Sequence, residues 1–153
     1  MANVTFYLLD QEMDNQQQID YSLACRLATD CYRQRQRCLI LTADKAQAEI
    51  FDELLWQQPT DSFVPHNLAN EGPANGAPVE INWQSASVSN RPVLINLSNT
   101  LPENNQRFRQ IYDFVPAEEQ LKQQARERYK LYRAAGHQLS TAPANEYQET
   151  NNG

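Results

Sequence analysis

Lys122, Arg126, Lys130 and Arg133 recur at spacings of three and four in the stretch LKQQARERYKLYR, residues 121–133. At about 100° per residue on a helix, these four cations fall between about 100° and 180° from Leu121, along one stripe. Leu121, Ala125 and Tyr132 fall within about 40° of one another and read as the core face. Tyr129, at about 80°, sits on the border between the two. Such a row attracts an anion. An acidic peptide, a nucleic-acid backbone and an anionic lipid all qualify, as does a solvated face with no partner. Like charges four apart, Lys122–Arg126 and Arg126–Lys130, each cost a few tenths of a kcal/mol and weigh against the solvated face. One aromatic beside several cations suits a peptide with acidic side chains and one apolar anchor. Binding of single-stranded nucleic acid would want several stacking aromatics, and only Tyr129 borders the stripe.

The stripe opposes the charge of the chain. The formal net charge is −6. The segment holds five basic residues and one acid, a sum of +4, so the remainder sums to −10. Acidity of that size disfavours non-specific nucleic-acid binding by the whole surface.

The elements that must hold this helix read as an α/β domain. VTFYLL (4–9), CLILT (38–42), VEINW (79–83), VLINL (93–97) and IYDFV (111–115) are apolar runs of strand length. A short strand at SFVPH is a further candidate. Residues 16–35 carry Ile19, Leu23, Leu27 and Ala28 at helical spacing, with arginines at the end. Asp44 caps a helix over 45–56. A further helix is expected over 102–110, and one of about 20 residues after Pro116, stopped by Gly136. Strand–helix alternation implies a parallel sheet. The 153 residues, 41% of them hydrophobic, suit one domain over 1–137. Residues 138–153 are polar without periodicity and are expected to form a disordered tail. No stretch approaches the ~18 apolar residues of a membrane span, and no basic region precedes the first apolar run. A cytoplasmic protein is the expectation.

Catalytic and cofactor motifs are missing. There is no GxGxxG, no GxxxxGK[ST] and no GxSxG. The turn after the first strand, DQEMDNQQQ, is acidic and would repel a phosphate. Asp10 and Asp44 follow strands, where an α/β enzyme places its ligand, but both read as turn and cap residues. His66 is the only candidate histidine base and reads as structural. Cys25, Cys31 and Cys38 lack zinc or disulfide spacing and are expected as buried free thiols. No cofactor or metal is expected. Trp56 and Phe63 flank a proline-containing loop, either as core under the loop or as a partner interface.

The phrases FYLLD (6–10), DELLWQQPTDSFVPHNLANEGP (52–73), GAPVEINW (76–83) and DFVPAEEQLKQQARERYKLYRAAG (113–136) resemble the chi subunit family of bacterial DNA polymerase III holoenzyme. The resemblance runs from about residue 3 to residue 137. It implies a three-layer α/β sandwich with a mostly parallel sheet, Rossmann-like without a phosphate-binding loop. It implies a non-catalytic accessory subunit that pairs with the psi subunit and through it joins the clamp loader. It further implies binding of the C-terminal tail of single-stranded DNA-binding protein (SSB), which is acidic and ends in phenylalanine. Contact with DNA would be mainly indirect, through SSB, and a repair helicase is a further implied partner. The tail site falls on Val115, Lys122, Arg126, Tyr129, Lys130 and Arg133. The psi-facing surface falls on Trp56, Phe63 and Pro65.

Overall fold

The computed structural model describes residues 2–9, 13–14, 17–57, 64–69, 77–84, 91–102 and 105–144. Along the chain run β1 (Asn3–Leu8), β2 (Met13–Asp14), β3 (Gln17–Gln18), α1 (Ile19–Arg33), β4 (Cys38–Leu41) and α2 (Lys45–Trp56). Then follow β5 (His66–Leu68), β6 (Val79–Asn82), β7 (Val93–Asn96), β8 (Gln110–Val115), α3 (Glu119–Ala134) and β9 (Gln138–Pro143). Seven strands form one sheet in the order β5-β6-β4-β7-β8-β1-β9. Every pairing in it is parallel. β2 and β3 form a separate antiparallel pair.

A parallel sheet needs cover on both faces, and the alternation along each strand supplies it. Cys38, Ile40, Val93, Ile95, Tyr7 and Phe114 point into a core shared with α1 and α2. Their neighbours Leu39, Leu41, Leu94, Val4, Phe6 and Ile111 point the other way, into a core closed by Tyr132 of α3. The result is the expected three-layer, Rossmann-like α/β sandwich.

The helix ends follow from local chemistry. The Asp44 carboxylate accepts the Gln47 N–H at 2.8 Å, and Gln47 Oε1 accepts the Ala43 N–H at 2.8 Å. This reciprocal capping starts α2. Glu118 caps α3 by accepting the N–H groups of Gln120 and Leu121 at 3.1 and 2.9 Å. At the far end Gly136 takes a φ of 90°. The Gly136 N–H donates to Arg133 O and the His137 N–H to Tyr132 O, a Schellman closure that needs a left-handed residue at this point.

Four expectations need correction. Residues 138–143 are not a disordered tail: they form β9, paired in register with β1 from Asn3↔Gln138 to Leu8↔Pro143. The domain therefore extends past 137. An edge strand gains its place from backbone hydrogen bonds, and Pro143 is tolerated there because one side of an edge needs no donor. The helix expected over 102–110 is a single 3₁₀ turn, Asn105–Arg107. The last helix begins at Glu119 rather than at Pro116 and has 16 residues. Leu121, assigned to the core face, is 40% exposed: it stands in the first turn of α3, and the buried residues of the helix, Ala125, Arg128 and Tyr132, begin one turn later.

Candidate functional site

α3 lies over β8 and β1, with β9 beyond its C-terminal end. Phe6 of β1 forms the floor. The Tyr129 ring centroid lies 5.3 Å from that of Phe6, and the Tyr132 ring lies 5.7 Å away, edge-on. Val115, the last residue of β8, packs on the same core, as does Tyr129, and both are half-buried. Val115 pairs in register with Leu8, which is two residues beyond Phe6 on the same face and 38% exposed. An apolar shelf therefore opens to solvent beside α3.

The cations stand on the helix flank next to this shelf. Arg126, Lys130 and Arg133 are exposed and Lys122 is half-exposed. Lys122 Nζ lies 3.9 Å from Glu119 and Lys130 Nζ 3.6 Å from Glu127, both three residues apart. Arg126 donates to Gln123 Oε1 at 3.4 Å. Exposed pairs of this kind contribute about 0–1 kcal/mol, so the positive flank keeps its attraction for an incoming anion. The six residues assigned to this site thus share one neighbourhood, around α3 and the end of β8.

Arg128, the fifth base of the segment, plays another part. It is 6% exposed and grips the fully buried Asp113 of β8. Arg128 Nε donates to both Asp113 oxygens at 3.2 and 3.1 Å, and an Arg128 terminal nitrogen donates to Oδ1 at 3.0 Å. The Tyr132 hydroxyl donates to Asp113 Oδ2 at 3.0 Å and accepts from Asn96 Nδ2 at 3.0 Å. Burial pushes the Asp113 carboxyl above its ordinary pKa, against the pull of Arg128, the Phe114 N–H and Tyr132. The network ties the buried side of α3 to β8 and β7, away from the flank that carries Arg126. It has a sequence signature. Ile111, Asp113 and Val115 share one strand face, so the acid points into a core and demands a partner. Arg128, at about 340° from Leu121, falls on the buried side of α3.

The second cluster is partly described. Trp56 ends α2 and is 59% exposed. Its ring lies edge-on to His66 at 5.3 Å, directly after the half-buried Pro65. Trp56 and Pro65 are thus brought together beside the β5 edge of the sheet, while Phe63 lies outside the described residues, as does Asp10. His66 has a fully buried side chain. Its Nδ1 meets Val64 O at 2.7 Å and its Nε2 meets Asp52 O at 3.2 Å. These are the contacts of a structural histidine. Asp44 serves as the cap already described. The three cysteines are buried and free, and burial pushes the Cys25 thiol up to about 12. Among the described residues, no group of three His, Cys, Asp or Glu side chains could hold a metal ion. Nor is any described helix long and apolar enough to cross a membrane.

Fold and site together define a Rossmann-like α/β protein with two aromatic surfaces open to solvent, one of them bordered on one flank by cations. A solved structure of T4 UvsW aligns with 94% of this chain and 41% of its own, with a TM-score of 0.58 at 10% identity; the likeness is one of fold. The model of the family "DNA polymerase III chi subunit, HolC" matches residues 1–140. The DNA polymerase III subunit chi of Escherichia coli K12 is 49% identical over 93% of this chain and 98% of its own. That of Haemophilus influenzae is 44% identical over 78% and 83%. That of Pseudomonas aeruginosa is 31% identical over 91% and 94%. The chain belongs to the DNA polymerase III chi subunit family.

Proposed function

We propose that the flank of α3 receives the acidic C-terminal tail of SSB. The observation that carries the reading is the half-open shelf of Val115 and Tyr129 on Phe6, bordered by the exposed bases Arg126, Lys130 and Arg133. The terminal phenyl ring rests on Val115 and the Tyr129 edge. Arg126 or Lys122 meets the terminal carboxylate, and the fork of Arg126 suits a bidentate grip better. Lys130 and Arg133 attract the preceding acidic side chains.

Burying one phenyl ring supplies roughly 2 kcal/mol. A charge-assisted carboxylate contact adds about 1.5–3 kcal/mol, and each exposed pair about 0.2–1 kcal/mol. Association and ordering costs take back much of the sum. Binding is therefore expected near 8 kcal/mol, about micromolar, and weaker as salt rises. That strength suits a contact made and broken during replication.

The exposed Trp56, beside Pro65, supports a second surface at the β5 edge that pairs with the psi subunit. Through psi this protein joins the clamp loader, so that it links the polymerase to SSB-coated DNA as a cytoplasmic, non-catalytic subunit. A repair helicase competes for the psi surface. DNA contact is mainly indirect. The test is titration of the protein with the SSB tail peptide, with and without its terminal phenylalanine. Loss of binding on removal of that one residue supports the reading. Equal binding of both peptides, or tight binding of single-stranded DNA alone, favours direct DNA binding by α3 instead.

A further inference from the structure

The opposite flank of α3 closes a separate crevice. It has a volume of about 240 Å³ and lies at the carboxyl ends of β4, β7 and β8, with walls from all three layers. The chain leaves β4 through α2 towards β5 and β6 on one side, then crosses to β7 on the other. The strand order reverses there, which is where open parallel sheets hold ligands.

The lining sets the chemistry. Gln124 lines the crevice, and its Oε1 is buried without a hydrogen-bond donor among the described residues. A buried acceptor left unpaired is costly, so this position favours an incoming N–H or O–H group. Ser98 and Asn99 line the wall after β7, and Leu121 supplies an exposed apolar face. Among the described residues, the charged groups of the lining are already engaged with each other. Arg128 is committed to Asp113, and the N-terminus of α2 is already capped by the Asp44 carboxylate, which repels a phosphate. The volume is below that of drug-sized sites. An adjoining hollow of about 300 Å³ shares Ala43, Ser98 and Asn99 and reaches Trp83, whose ring could stack on a neighbouring group.

We infer that this crevice binds one neutral, flat heterocycle of nucleobase size, which donates a hydrogen bond to Gln124 and lies against Leu121. The heterocycle is either a free nucleoside or one unstacked base of a single strand. The experiment is an NMR titration of the full ¹⁵N-labelled chain with adenosine, guanosine, cytidine and thymidine in turn, each beside its 5′-monophosphate, and with short oligodeoxynucleotides. At least one nucleoside should shift the amides of Ser98, Asn99 and Gln124. Its monophosphate should bind no more tightly. Gln124→Leu should weaken binding about tenfold, and Leu121→Gln should weaken it too, with both variants melting like the wild type. Arg126→Ala should leave it unchanged, which separates this site from the tail site. Tighter binding of an oligonucleotide through the same amides assigns the base to a strand, and binding of the nucleoside alone assigns it to the free compound. No shifts at the solubility limit of all four nucleosides overturns the inference. So does a preference for the monophosphate, or a Gln124→Leu variant that binds as well as the wild type.

Discussion

Arg128→Leu and Arg126→Ala, two positions apart on one helix, should have opposite effects. Arg128 is buried, and its partner Asp113 is wholly so. Removing the guanidinium strands a carboxylate that accepts three contacts from it at 3.0–3.2 Å. Breaking a buried pair in this way costs about 3–5 kcal/mol. At about 2–4 °C per kcal/mol for a domain near this size, the melting midpoint should drop by about 6–20 °C. Urea unfolding followed by circular dichroism measures the loss directly. The double variant Asp113→Asn/Arg128→Leu should regain much of it, because the buried charge is gone and the Asn oxygen can still accept from Tyr132. Tail-peptide affinity of folded Arg128→Leu should match the wild type. Arg126→Ala should melt like the wild type and lose the peptide. An Arg128→Leu variant within about 1 kcal/mol of the wild type in stability would refute the reasoning, and so would a folded variant that had lost the peptide.

Three further outcomes follow from the structure. His137 takes the Ala2 N–H on Nδ1 at 3.0 Å and contacts Asn105 Oδ1 through Nε2 at 2.6 Å. Burial, with a smaller push from the amino terminus, holds its pKa below the usual 6.5. The unfolded chain then binds the proton more readily, so this stabilisation is complete above pH 6.5 and is lost as the pH falls through the lower folded value; an NMR titration placing His137 at or above 6.5 would contradict it. Truncation after Gly136 removes β9 and leaves β1 as a bare edge. The shortened chain should unfold at lower urea and aggregate more readily, and an unchanged midpoint would mean that β9 contributes nothing. Trp56→Ala should change stability by under about 1 kcal/mol, since the ring is 59% exposed, yet weaken co-purification with psi; full retention of psi would move that surface elsewhere.

The buried strands were legible in the sequence because a parallel sheet with two covered faces leaves continuous apolar runs, as in CLIL and VLIN. The ends of α2 were legible because Asp44 does what an N-cap aspartate does. β9 was not legible, since QLSTAP holds its place through backbone pairing with β1 and carries little apolar pattern. The cation stripe could be drawn from helical angles alone, because exposed residues on a regular helix keep their spacing. The role of Arg128 escaped because charge counts do not separate a surface base from a buried one; only its angle, read together with the inward-facing Asp113, reveals the pair. Leu121 shares the angular face of Ala125 and Tyr132 but stands in the first turn of α3, ahead of the buried residues, and a helical angle carries no information on position along the axis.

In the proposed tail complex, Arg126 grips the terminal carboxylate while the phenyl ring sits on Val115 and Tyr129. A calorimetric double-mutant cycle tests it most directly: wild type and Arg126→Ala, each titrated with tail peptide carrying a free C-terminal carboxylate or a C-terminal amide. If the contact exists, each change alone should weaken binding and the two together should weaken it little further, with a coupling of about 1.5–3 kcal/mol. Strictly additive losses would place the carboxylate elsewhere, and binding unaffected by either change would remove the tail from this helix.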